Sequence, residues 1–190
     1  MKRTLLLTFL CLFCTVAVIA GKPVTVKSGK VSVLKTQSKS LLEIDYSSTK
    51  VGKLPLNEYL KERGDDYVKD WPRESETAAS YFREQFNKKS KGTKITSDEE
   101  AASYKIVISP KFIDMGNAGS FFVTMAIGGS RKAGGVIMSG PIEIIDLATN
   151  KVVCVLYVDD VKGKGHPKDA IRMGMMYQEL AKKMCKLKDK

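Results

Sequence analysis

GPIEIIDLATNKVVCVLYV, residues 140–158, reads as two apolar strands joined by a short polar turn. The first strand belongs to a run from Val136 to Leu147 and the second spans Val152 to Val158. Asp146 to Lys151 is too short for anything but a reversal, so the two should pair as an antiparallel hairpin. Gly140-Pro141 inside the first run forces a bulge or bend, because proline cannot donate to a ladder. The second strand, VVCVLYV, is apolar on both parities. A strand with one wet face should alternate. Phe121-Phe122 and Ile144-Ile145 repeat the effect. Either the sheet is covered on both faces, or one face meets a partner or an apolar ligand. Strands from the amino-terminal part would be the simplest cover.

Outward from the hairpin, Tyr104 to Ser109 and Phe121 to Ile127 read as two further strands, the former interrupted by Pro110. The glycine-rich GGSRKAGG at 128–135 links Phe121–Ile127 to the hairpin. A long helix is expected near 72–89, with Ala79, Phe82 and Phe86 at helical spacing. A second is expected near 167–186, where Pro167 suits a first helical position. Ala170, Gly174, Ala181 and Cys185 lie near one face of it and should let it sit close on the sheet. Near the amino terminus, Pro23 to Leu34 reads as strand, turn, strand, and Leu41 to Tyr46 as another short strand. Residues 56–60 suggest a short helix, with a loop after it that carries Tyr67 and Trp71. The fold class is therefore α+β, an antiparallel sheet of about four to six strands with two long helices packed on one face.

Residues 1–20, MKRTLLLTFLCLFCTVAVIA, have the layout of a secretory signal peptide: Lys2-Arg3, an apolar run, then small residues before a cut near Ala20. Residues 21–190 suit one domain, with a strand-rich part over 21–72 and a helix–strands–helix part over 73–190. The expected location is the periplasm, or the outside or surface of the cell. No transmembrane helix is expected in the processed chain.

The whole sequence carries 32 lysines and arginines against 21 acidic residues, a formal charge of +11. The excess sits in residues 21–60 and 151–190, while 61–100 is near balance. Such a charge attracts polyanions. After the leader only Arg63, Arg73, Arg83, Arg131 and Arg172 are arginines. With so few bidentate donors and no basic aromatic stripe, specific nucleic-acid reading is not expected. Arg131 and Lys132 in the glycine-rich link, with Lys182, Lys183 and Lys186 in the last helix, are the candidate anion contacts. Helix C-termini also favour lysine through the helix dipole, without any ligand.

Catalytic and metal motifs are sparse. His166, the sole histidine, sits in VKGKGHPKD with Asp159, Asp160 and Asp169 nearby. A small secreted hydrolase using His166 is the alternative function, although no serine stands in a G-x-S-x-G elbow. A capping or solvent-facing role is the simpler reading of His166. Gly163-Lys164-Gly165 does not match a phosphate loop. Cys154 and Cys185 with one histidine make no zinc pattern, so neither metal nor cofactor is expected. The two cysteines either bridge, closing a loop of roughly 30 residues with ~3 kcal/mol of stabilisation, or remain buried thiols. Trp71 with Tyr67 reads as a sugar-stacking pair or as a core anchor.

ASYKIVISPKFIDMG, a glycine-broken strand, GPIEIIDLATNKVVCVL and a carboxyl-terminal helix form an order of elements that resembles a family over roughly 73–186. It is similar to exported Gram-negative envelope domains with the α/β plan of the TolB amino-terminal domain and the curli-assembly lipoproteins. The phrase IIDLATNKVV (144–153) resembles their hairpin of strand, Asp, Thr, Gly or Asn, Lys and strand. Lysine richness and the leader also suit exported proteins of gut Bacteroidota. The resemblance implies an envelope or assembly role and transfers no catalytic residue. The expected function is an exported non-enzymatic binding or assembly protein. Its partners would be an envelope protein or anionic lipid or glycan, and an oligomer is compatible with this role.

Overall fold

The structure, a computed structural model, describes residues 22–128 and 134–189. The leader and the Arg131-Lys132 pair therefore lie outside the described residues. In chain order the elements are β1 (Val24–Gly29), a 3-10 turn at Val31–Lys35, β2 (Lys39–Ile44), β3 (Lys50–Val51) and β4 (Leu54–Pro55). Helices α1 (Leu56–Arg63) and α2 (Asp65–Lys89) come next, then β5 (Lys94–Ile95), β6 (Tyr104–Ile108) and β7 (Phe112–Asp114). The chain continues through α3 (Ala118–Ala126), β8 (Ile137–Asp146), β9 (Lys151–Lys162) and α4 (Asp169–Met184).

The 140–158 hairpin is the spine of the sheet. β8 and β9 pair antiparallel from Ile137↔Lys162 to Asp146↔Lys151. Asp146 closes the turn: its Oδ1 accepts the Thr149 N–H at 2.9 Å and the Thr149 hydroxyl at 3.0 Å. Asn150 takes the left-handed conformation at φ 51°, which asparagine tolerates better than most residues. On its other side β8 holds β6 along Ile142–Asp146 and β7 along Ile137–Ser139. β6 and β7 are one strand broken at Pro110. Flanking the break, the Ser109 N–H donates to the Pro141 carbonyl and the Lys111 N–H to the Ser139 carbonyl. Gly140 sits opposite, where a Cβ would come within 2.4 Å of the Ser109 oxygen.

Among the described residues the sheet has nine strands and is mixed, not an antiparallel sheet of four to six. β2 runs parallel to both β5 and β6, and β3 runs parallel to β7. The reason is the crossover: the chain leaves β2, passes through α1 and α2, and returns to the same edge. Parallel pairing needs a crossover of about a dozen residues or more, which these helices supply. The described residues form four α-helices, of which α2 and α4 are the long ones.

Three further expectations change. Val31–Lys35 is a 3-10 turn, with Val31 and Leu34 buried three residues apart. The expected loop around Tyr67 belongs to α2, which starts at Asp65 directly after Gly64 at φ 110°. Phe121–Ile127 is not a strand but falls largely in α3, closed by the Ile127 N–H on the Val123 carbonyl.

One face of the sheet is the core. Ile106, Ile108, Ile142, Ile144, Leu156 and Val158 are fully buried and join Phe82, Phe86, Met173, Met176, Tyr177 and Leu180 of the two long helices. The opposite face carries Val107, Glu143, Val153, Val155 and Tyr157, none of them buried. The amino-terminal strands do not cover it: β1 pairs with β9 at the edge of the same sheet. Within the double-parity run of β9 the pairing with β8 shifts register once, at Val153 between Val152 and Cys154.

Candidate functional site: a lysine-rimmed hollow

Helices α2 and α4 run parallel. Tyr67, Asp70 and Glu74 lie beside Pro167–Ile171 at one end. Midway, Gly174 packs under the Tyr81 ring, where a Cβ would stand 2.8 Å from ring carbons. At the other end, the Cys185 thiol lies 3.9 Å from the Phe86 carbonyl. The small-residue stripe of α4 therefore serves the neighbouring helix at Gly174 and Cys185, not the sheet alone. Two helix C-termini converge, and their aligned carbonyls make that pole negative unless cations offset it.

Lysines crowd there. Lys35 comes from the 3-10 turn, Lys89 and Lys91 from the end of α2, and Lys182, Lys183 and Lys186 from the end of α4. Lys182 is paired with Glu179 at 2.7 Å and Lys35 with Asp189 at 3.9 Å. Lys94 caps the helix by donating to the Asn87 and Ser90 carbonyls at 2.6 Å. Among the described residues no carboxylate pairs with Lys89, Lys91, Lys183 or Lys186.

Lys35, Lys89 and Lys91 rim a hollow of about 290 Å³ over Val31, Leu34, Phe86, Met184 and Leu187, of which all but Leu187 are buried. Gly92 is part of its wall, pressed so close to the Lys35 backbone that a Cβ would sit 2.3 Å from it. A second hollow of about 300 Å³, lined by Lys89, Lys182, Cys185 and Lys186, adjoins the first. The two share Lys89 and Cys185. Burial pushes the Cys185 thiol up to about 11, with Lys94 pulling weakly the other way. Lys183 and Lys186 also border a third depression beside β1.

The structure thus gathers three of the five sequence candidates, Lys182, Lys183 and Lys186, and adds Lys35, Lys89 and Lys91. Those three were not legible because they join the pole only through the parallel packing of α2 and α4. Cys154 and Cys185 are both free: Cys154 is buried in β9, and Cys185 is half-buried at the hollow. The bridge weighed from the sequence is not made.

Chemistry elsewhere is structural. The His166 Nδ1 accepts the Lys168 N–H at 3.1 Å, a local cap before α4. Ser139 and Asp160 bond each other across a bulge, with the Ser139 hydroxyl donating at 2.8 Å. Asp169 sits between Arg63 at 3.2 Å and the buried Arg172. Tyr67 lies under Arg63, while Trp71 meets Tyr46 edge-on at 5.2 Å, so Tyr67 and Trp71 do not form one stacking platform. Among the described residues no group of histidine, cysteine and carboxylate side chains could hold a metal ion. No described helix is long and apolar enough to cross a membrane.

No protein-family model and no curated protein matches the chain. Among solved structures, the PelC dodecamer from Paraburkholderia phytofirmans is similar at a TM-score of 0.43 and 11% identity. The match covers 83% of this chain and 96% of that one. A point variant of the same dodecamer gives a TM-score of 0.41 and 12% identity over the same shares.

Proposed function

We propose that this chain is an exported, non-enzymatic binding protein of the cell envelope, in the periplasm or at the cell surface. In this reading the lysine pole at the joined ends of α2 and α4 rests on an anionic partner. The observation that supports it is the gathering of Lys89 and Lys91 at one hollow and of Lys89 and Lys186 at its neighbour, with no carboxylate paired to any of the three among the described residues. The envelope role also draws support from the leader-like residues 1–20.

The purified protein should co-sediment with vesicles of anionic phospholipid and not with zwitterionic ones. Retention should fall steeply between low and physiological salt, since exposed charges are screened over a Debye length of ~8–10 Å. Replacing Lys89, Lys91 and Lys186 together by glutamine should weaken retention on the order of hundredfold, each lysine near an anionic surface contributing ~1 kcal/mol. Equal retention on both vesicle types, or retention indifferent to salt, overturns the reading.

A further inference from the structure

We propose that the sheet face turned away from α2 and α4 joins a second copy of this chain, forming a two-fold dimer along β9. Val155 and Tyr157 pack against their own copies, and Glu143 of each protomer meets Lys27 of its partner. Neither charged residue lines the hollows of the lysine pole, so this dimer stands apart from the anion contact proposed there.

This face is apolar where water favours polar side chains. Alternation sends Ile142, Ile144, Leu156 and Val158 into the core. Their neighbours Ile145 and Val155 point the other way and are partly exposed, and Tyr157 is exposed. A solvated sheet face ordinarily carries polar residues at such positions. Val107 of β6, also partly exposed, continues the patch beside Glu143.

Two charges set what can cover the patch. Glu143 stands between Val107 on one side and Val155 on the other. Among the described residues no ion pair or hydrogen bond engages its carboxylate, and the nearby Lys105 is taken by Glu43 at 2.9 Å. Across β9, Val155 pairs with Ser28 of β1, and Lys27 sits at the bulge next to Ser28. The Lys27 ammonium lies 5.3 Å from the centre of the Tyr157 ring, which places it on the same face. Among the described residues no carboxylate pairs with Lys27. Water solvates both charges in the single chain, so neither demands a partner. Their arrangement decides which partner fits. Glu143 and Lys27 flank β9, one strand away on either side, at ~4.8 Å per strand. A two-fold axis parallel to β9, lying between two such faces, carries Glu143 across β9 to stand over Lys27 of the second copy, and the reverse. Val155 and Tyr157 then lie near the axis. Stacked sheets sit ~10 Å apart with strands within about 30° of aligned, a gap that lysine and glutamate side chains close together. The face is thus complementary to itself in charge and in apolar content, as an isologous contact requires.

Sedimentation equilibrium of the purified protein across a range of concentrations tests this. The parent should show a monomer–dimer equilibrium. Glu143→Lys sets like charges opposite each other at both symmetric contacts, and Lys27→Glu does the same with the other sign. Each should raise the dimer dissociation constant by at least about hundredfold. Mixed in equal amounts, the two variants should form a heterodimer, because every contact then pairs a lysine with a glutamate. The double variant Lys27→Glu/Glu143→Lys should dimerise as the parent does, which also shows that the single variants fail through charge and not through folding. A parent that stays monomeric leaves the face to a different protein and overturns the proposal. Single variants that dimerise like the parent overturn it as well. So do single variants that stay monomeric when mixed, a double variant that does not recover, or a larger assembly whose size ignores both charge changes.

Discussion

Two buried hydroxyls show how much single contacts weigh here. The Tyr46 and Tyr177 hydroxyls lie 2.8 Å apart, where β2 ends and α4 covers it. Burial pushes both phenols up, so both stay neutral and one donates to the other. Tyr177→Phe should cost about 1–3 kcal/mol, because it strands the Tyr46 hydroxyl. The double change with Tyr46→Phe should cost less than the sum of the singles, and a denaturant double-mutant cycle reads that coupling. At the acidic end of the helix pair, burial chiefly, then Asp169 and Asp70, raise the Glu74 carboxyl above its ordinary value. A raised carboxyl contributes stability only while protonated, and that contribution is lost as pH rises through its folded-state value. Glu74→Gln should therefore gain stability over the parent near neutral pH. The gain should vanish below the ordinary glutamate range, as chemical denaturation across pH would show. The legible residues were those with a local role: Asp146 and Asn150 in the turn, Pro110 and Gly140 at the break, and His166 as a cap. Tyr46 and Tyr177 were not, because 131 positions separate them.

At the scale of elements, the two long helices were readable from their apolar spacing, and the hairpin from two apolar runs joined by a short polar turn. Two segments were misread for identifiable reasons. Phe121–Ile127 is a short apolar run without charge, and periodicity alone does not separate a strand from a helix in such a run. No neighbouring strand edge among the described residues takes it up, so it closes its own backbone bonds as α3, leaving Phe122, Val123 and Ile127 exposed. Val31–Lys35 alternates like a strand, yet buries Val31 and Leu34. The small-residue stripe of α4 was visible, but its neighbour was not. Gly174 lies against the Tyr81 ring, so Gly174→Val should force α2 and α4 apart and cost ~1–3 kcal/mol by overpacking. Thermal denaturation would register this as a lower midpoint. Serine or alanine there should cost less, since alanine recovers ~1 kcal/mol of helix propensity.

At the scale of the whole molecule, charge tracks helix direction. Asp65, Asp66, Asp70 and Asp169 cluster at the paired N-termini, and the lysines cluster at the paired C-termini. The parallel helices give the protein a basic pole at their C-termini that offsets the dipole, while the carboxylates at the N-termini are matched by Arg63, Arg73 and Arg172. Protection against hydrogen exchange should be graded across the same frame. Amides of β8, held by ladders on both sides, should open only with global unfolding, and those of exposed α3 should exchange fastest. Uniform protection of β8 and α3 would contradict this layering.

Sequence alone set the local rules: which runs are apolar, where turns fall, which helices are long, and that the lysines gather in two distant stretches. Alternation, glycine and proline chemistry and helical spacing act over a few residues, so they survive without knowledge of the fold. Tertiary structure decided the rest. The crossover through α1 and α2 made the sheet mixed and set α2 and α4 side by side in the same direction. That pairing brought Lys89 and Lys91 to the same pole as Lys182 and Lys186, at two adjoining hollows. Such encounters depend on contacts between segments tens of residues apart, and no local pattern encodes which distant surface a buried face will meet.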